Sequence, residues 1–544
     1  MLKAHPKFFH YAAWGVLGIV LILILTTFLD YGITWDEELQ SQYGQAIVDY
    51  YLSGFKDDRY AEIFNLYLYG GTFDGLASAI DRFTPFRVYD TRHLLNALFG
   101  LLGLWGVWRL GRIFGGGAVG LMALILCAAT PVYYGHMFNN PKDIPFAAGL
   151  VWTIYYMIRA AEKPSLSVVV KAGLVLGLTL GVRIGGVMVI GFWCAGIGVV
   201  SLLPFLKKGN RVTALDVLRT GRHRAMAEVL PALLIAYPVM LMCWPWAQQH
   251  PIQNPLKALG AFSNFPQDVE VLLNGVIYRS TELPWYYVPL YFGIQTPLLL
   301  LFLWAVGFVC LPRMWRALER AQKQGLVTLL LMALFPVLYA MIRRPALYDT
   351  VRHFLFVIPL GSVVAALAVR EVYAWCRSLC PTEKMGQRVG LLLGAVFALS
   401  IGTQIGTMIL LHPYEYIFAN ALTGGVQGAY GQYESDYWGS SFKEAAKELQ
   451  ALVAHEGGVP AGKIYKIAIC GPWDSAMIYL PPDFEPVVAN EPASFFLSTT
   501  RWMCQDMRPG KEVIRIARMG VPLSIVKDLR GGYQYYDGNR NEKR

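Results

Sequence analysis

The residues best suited to chemistry stand at the edges of long apolar runs. The first run, Tyr11 to Phe28, carries no charge, and the adjacent pair Asp36 and Glu37 follows it closely. Carboxylates so near a bilayer are costly to desolvate, which makes each a functional candidate. Neighbours on a helix diverge by about 100°, so the two do not form a dyad: one can face a cavity while the other braces it. A third carboxylate, Asp143, sits between Pro141 and Pro145. That stiff backbone lets it start the following helix, and a plain capping role is its simpler alternative.

Cations occupy matching places. Arg183 lies in a Gly-rich turn between two apolar runs, level with lipid phosphate; snorkelling would also explain it. Arg352 and His353 open a late apolar run in YDTVRHFLF, and a near copy, YDTRHLLN, places Arg92 and His93 before the second. An arginine fork suits bidentate phosphate recognition, with interfacial anchoring as the plainer reading. Carboxylates and arginines together at membrane depth suit one reaction class. A lipid phosphate leaves, a carboxylate takes a proton from an attacking hydroxyl or amine, and cations stabilise the growing charge.

The elements that must position these residues are membrane helices. The 544 residues are 55% hydrophobic and 15% charged, against about 25% charged in soluble domains. Apolar runs of about 20 residues recur, and eleven spans are expected near 10–30, 94–113, 115–134, 145–161, 166–182, 185–206, 227–247, 288–311, 325–342, 353–370 and 389–411. The net charge of +10 falls mostly in short loops, which argues for orientation rather than nucleic-acid binding. Basic stretches at 207–211 with 219–224, at 312–323 and at 370–388 share one side with the N-terminus, expected to be cytoplasmic. No small-residue cleavage site follows the first run, so it reads as a retained span.

An odd span count puts loops 31–93, 135–144, 248–287 and 343–352, and the tail 412–544, on the outer side. Loop 31–93 holds two amphipathic stretches, about 38–54 and 75–82, suited to lying along a membrane surface. Loop 343–352 carries three arginines against the charge rule, which marks it as functional. The chain thus divides into a membrane domain, 1–411, and a small α/β domain, 412–544. In the latter, 442–454 reads as a helix, 466–471 and 494–499 as strands, and 512–529 as a hairpin, with a frayed end at 537–544. Cys127, Cys194, Cys243 and Cys310 fall in apolar runs as packing residues. Cys470 and Cys504 could pair in an oxidising compartment. No cysteine spacing suits zinc.

The ordered set of motifs resembles a known family. NPKDIPF, GLTLGVRIGG, LPWYYVP and HPYEYIFANALTGG followed by GAYGQYESDYWG are similar to GT-C glycosyltransferases, of the bacterial family-39-like type that includes protein O-mannosyltransferases and aminoarabinose transferases. The resemblance covers roughly residues 10–440. It implies a polytopic α-helical fold in the bacterial inner membrane. It also implies inverting transfer of a sugar from a polyprenyl-phosphate donor to a glycan, lipid or protein acceptor on the extracytoplasmic face. Asp36 matches the base, with Glu37 beside it, Asp143 the second acidic position and Arg352 the phosphate contact. Arg183 and Arg92 match further phosphate positions, and His353 stands where relatives often have Tyr. Such relatives need not use a metal, and no cofactor is expected, although Asp36, Asp143 and His136 could meet in space. The competing classes are a lipid or glycan transporter (flippase), which would favour midplane charges and repeated halves, and a non-catalytic assembly subunit.

Overall fold

The computed structural model describes residues 6–204, 213–263 and 267–531. The basic stretch 207–211 and the end 537–544 lie outside the described residues. Eight described helices are long and apolar enough to cross a membrane, nine if the bent pair Ala214–Glu228 and Leu230–Met242 is one span. The eleven expected spans are reached only by also dividing Val88–Ala128 and counting the 15-residue helix Leu166–Leu180.

Val88–Ala128 divides at Gly116, whose φ of 79° favours glycine. Beyond it the chain returns on itself, and a Cβ on Gly111 would lie 2.9 Å from the Gly120 Cα. The third run then continues past a break as the helix Pro131–Asn139, so residues 135–139 are helical rather than part of an outward loop. The expected span 288–311 is likewise corrected. Tyr287–Gln295 and Leu298–Ala317 are separate helices, because Pro297 supplies no N–H to continue the first. The basic residues 219–224 belong to the helix Ala214–Glu228, begun by a capping box between Thr213 and Asp216. Cys194 is exposed rather than packed.

Two helices form the centre of the bundle, Asp143–Glu162 and Val357–Ser378. Their apolar windows are 83% and 72% buried, against 0% for Glu383–Leu411. A helix apolar on all sides is stable only inside such a bundle or against lipid. Phe146 and Phe356 meet edge to face at 5.7 Å, which sets the first turns of the two central helices side by side. Asp143 lies in the first of these turns, and Arg352 and His353 lie in the 3-10 turn that leads into the second, so these candidates sit on or beside rigid elements.

The segment between the first two spans folds as the helices Glu37–Leu52 and Thr72–Asp81. Backbone bonds dock it on the bundle: Gly71 N donates to Cys243 O at 2.9 Å and Thr72 N to Gly181 O at 3.1 Å. Only glycine fits at Gly70, where a Cβ would stand 1.9 Å from Gly181 O. Within 248–287, Glu270–Leu273 and Val276–Arg279 form an antiparallel hairpin. Its Asn274–Gly275 turn has positive φ at both residues, as a two-residue I′ turn requires.

After the last membrane helix the chain builds a mixed five-stranded sheet. Tyr465–Cys470 lies between Phe484–Val488 and Phe495–Thr499, parallel to both, and Val521–Asp528 then joins Phe495–Thr499 to Lys511–Arg518 with antiparallel pairing. Phe442–His455 is helical, as its periodicity predicts. The edge strand Phe484–Val488 was not foreseen, its Pro486 arguing against a strand at all. Cys470 and Cys504 form a disulfide.

Candidate active site

Asp36 immediately precedes the helix Glu37–Leu52, and its side chain is 44% exposed to a cavity of about 250 Å³. Its Oδ2 accepts a hydrogen bond from Arg352 Nη1 at 2.9 Å. Arg352 occupies the short 3-10 turn Arg352–Phe354 that leads into the central helix Val357–Ser378. Its Nη2 meets Asp349 at 3.1 Å. Asp349 in turn meets Arg501 Nη2 at 2.9 Å, and Arg501 Nε meets Glu434 at 2.9 Å. The result is a file of alternating charge: Asp36, Arg352, Asp349, Arg501, Glu434.

The backbone under this file is strained. Asp349 and Thr350 have φ of 54° and 63°, each costing about 1–3 kcal/mol for a residue other than glycine. Asp349 is held by Arg352, Arg501 and Trp438 Nε1, and Thr350 N donates to the Tyr287 hydroxyl at 3.1 Å.

A second cavity, about 420 Å³ and mostly apolar, adjoins the first, and Tyr69 and Tyr348 line both. Three cations stand over these two rings. Lys142 Nζ lies 4.1 Å and Arg183 5.7 Å from the Tyr69 ring centre, and Arg352 lies 4.9 Å from that of Tyr348. The wall between the polar and apolar cavities is therefore faced by three cations, of which Arg183 and Arg352 are paired with carboxylates.

These charges tune one another. Burial works to raise the Asp36 pKa, but Arg352 and then Lys142 outweigh it and hold the carboxyl below its usual value. Burial pushes the Lys142 ammonium down to about 8, although Asp74 and Asp36 pull it upward. Arg352 stays charged: burial opposes the charge, and Asp349 and Asp36 more than offset it.

The remaining candidates fall in three places. Asp143 opens the helix Asp143–Glu162 and is buried, its Oδ1 2.6 Å from Arg183 Nη2 and its Oδ2 accepting from Asn140 at 2.9 Å. It therefore aims Arg183 rather than lining the polar cavity. His353 lines the apolar cavity, edge to face with Tyr348. Glu37 faces away from Asp36, accepting from Thr34 N at 2.8 Å and lying 3.1 Å from His93 Nε2. Arg92 corrects its sequence reading. It is fully buried in an ion pair with Asp74 and lines neither cavity, because its helix turns it into the packed interior instead.

The side chains of Asp36, Asp143 and His136 each have separate protein partners. His136 Nδ1 pairs with Asn140 and Nε2 with the Tyr437 hydroxyl, while the two carboxylates are taken by arginines. Among the described residues, no group of three or more His, Cys, Asp or Glu could hold a metal ion.

Sequence reasoning missed Lys142, Asp349, Arg501 and the tyrosine wall. Lys142 and Asp349 lay inside stretches already singled out, and the Asp of both YDT copies was the available signal. Arg501 carried none.

Residues 91–195 match the family model described as dolichyl-phosphate-mannose-protein mannosyltransferase. No curated protein matches the chain. Among solved structures, ArnT from Cupriavidus metallidurans in the apo state is similar at 13% identity and a TM-score of 0.50, over 95% of this chain and 98% of that one. The same protein bound to undecaprenyl phosphate matches at 12% identity and a TM-score of 0.47, over 96% and 97%. The oligosaccharyltransferase AglB from Archaeoglobus fulgidus, with an inhibitory peptide and a dolichol-phosphate, matches at 13% and 0.48, over 90% and 69%. The chain has a GT-C type fold similar to that of ArnT, and residues 91–195 carry the mannosyltransferase family match.

Proposed function

We propose that the protein is an integral membrane glycosyltransferase that moves a sugar from a polyprenyl-phosphate carrier to an acceptor, with inversion. The observation that carries this reading is the cationic tyrosine wall between an apolar and a polar cavity. A prenyl tail fits the first, its phosphate meets Lys142, Arg183 and Arg352 at the wall, and the sugar reaches the second, where Asp36 waits. The family model that matches residues 91–195 is named for a polyprenyl-type donor, dolichyl-phosphate-mannose, which supports the same donor chemistry.

The reaction balances on this chain's own groups. Asp36 takes the proton of the acceptor hydroxyl or amine, whose heteroatom bonds to the anomeric carbon. The bond from that carbon to the phosphate oxygen breaks, and its electron pair leaves on the lipid phosphate, where the cations stabilise it. Arg352 is bonded to Asp36. A bound phosphate competes for that arginine and restores basicity to Asp36, so donor binding readies the base. Asp143 and Arg92 act by support, the first on Arg183 and the second on the loop through Asp74.

The site faces the extracytoplasmic side of the bacterial inner membrane, with the N-terminus in the cytoplasm. The basic loops support this orientation, as does the Cys470–Cys504 disulfide, which needs an oxidising compartment. The decisive experiment is mass spectrometry of lipids that copurify with the protein, followed by transfer from the sugar phosphate so identified. Copurification of a polyprenyl-phosphate sugar that the protein then consumes is the expected result. Absence of any polyprenyl lipid, together with no binding of undecaprenyl phosphate, would sink the reading.

A further inference from the structure

Arg352 is asked to serve two carboxylates and a phosphate at once. Its Nη1 donates to Asp36 and its Nη2 meets Asp349, while its Nε is buried without a partner. If Asp349 placed its full charge on Arg352, little of that cation would remain for a phosphate. The structure gives Asp349 a second cation. Arg501 Nη2 binds the other oxygen, Oδ1, at 2.9 Å, and the two side chains are only 8% and 6% exposed.

Arg501 comes from the far end of the chain. It begins the 3-10 turn Arg501–Asp506 after the strand Phe495–Thr499, and the Cys470–Cys504 disulfide ties that turn to the sheet. Its Nη1 donates to Tyr437 O at 2.7 Å, and its Nε lies 2.9 Å from Glu434 as an ion pair. Arg501 lines the polar cavity, but its guanidinium is held there by Asp349, Glu434 and the Tyr437 carbonyl, so it reaches a phosphate only by giving up one of them.

We propose that Arg501 is a positioning residue that offsets Asp349, so that Arg352 keeps its charge for the lipid phosphate and for Asp36. The extracytoplasmic sheet segment thereby completes a site whose other groups lie on the membrane part. This inference rests on the transferase reading, and deepens it by giving the C-terminal segment a role in donor binding.

The test is titration of the purified full-length protein with undecaprenyl phosphate, which requires no knowledge of the sugar. Arg501→Gln should weaken binding about ten-fold or more, and adding Asp349→Asn should restore most of that loss, because the uncompensated carboxylate is then gone. A purely structural role for Arg501 predicts the opposite, a double variant no better than the single one, and that outcome overturns the proposal. So does unchanged binding in Arg501→Gln. Should Arg501→Gln not yield folded protein, Asp349→Asn alone decides: binding as tight as wild type or tighter supports the proposal, and weakened binding overturns it. Wild-type protein that fails to bind undecaprenyl phosphate would instead remove the functional reading beneath it.

Discussion

Asp36 and Arg352, 316 positions apart in the chain, meet at 2.9 Å across the mouth of the polar cavity. Both precede helices, Asp36 a surface helix and Arg352 a central membrane helix. The pair is therefore a contact between the segment 31–93 and the bundle, made through the two side chains proposed as base and phosphate contact. A carboxylate held by an arginine is a stable ion but a weak base. On the proposed reading, a donor phosphate that draws Arg352 away would make Asp36 a stronger base.

The first prediction concerns that carboxylate. Asp36→Asn is nearly isosteric and sits at a partly exposed position, so the protein should fold and bind undecaprenyl phosphate. Turnover should fall by about 10²–10⁴-fold, the usual worth of a general base. The lowered pKa of Asp36 also has a signed consequence. The base is ionised throughout the neutral range, and activity is lost only as pH falls through a value below the ordinary carboxylate range, about 3.9. Replacing Arg352 by Gln removes the largest influence holding that pKa down, so the acid limb of kcat/KM should move to higher pH. Normal transfer by purified Asp36→Asn would assign the base to another group.

How much of this was legible in the sequence differs by physical cause. Long apolar runs and misplaced charge are local signals, and they yielded the membrane class, Asp36, Arg352, Arg183 and Asp143. Periodicity gave the helix Phe442–His455 and four of the five sheet strands, two of them as a hairpin. What a local signal cannot carry is partner choice. Nothing in YDTRHLLN says that Arg92 turns inward to Asp74 while Arg352, in the matching stretch, turns toward Asp36. Arg501 is stranger still to local reading, since its importance comes only from folding of the tail against residue 349. The Asn274–Gly275 pair is by contrast a local signal, a two-residue hairpin turn legible from residue type alone.

The second prediction separates Asp143 from Asp36. Asp143 is 4% exposed and bonded to Arg183 at 2.6 Å, so its carboxylate is unavailable as a base. Asp143→Asn should release Arg183 from its aim at the tyrosine wall and raise the donor KM, with a smaller effect on kcat. Asp36→Asn should do the reverse. A kcat loss in Asp143→Asn as large as that of Asp36→Asn, at unchanged donor KM, would place Asp143 in the chemistry.

The last prediction uses Lys142. Burial lowers its pKa to about 8, so in the donor-free protein it is a cation below that pH and neutral above it. Its ammonium lies 4.1 Å from the Tyr69 ring centre at the wall where the phosphate is placed. Donor affinity should therefore fall as pH rises through about 8, and kcat/KM, which reports the free enzyme, should show an alkaline limb there. Lys142→Arg keeps the charge across this range, because a guanidinium stays protonated. The variant should lose the limb while retaining binding at high pH. A limb that stays at the same pH in Lys142→Arg would trace it to another titrating group and take Lys142 out of the phosphate site.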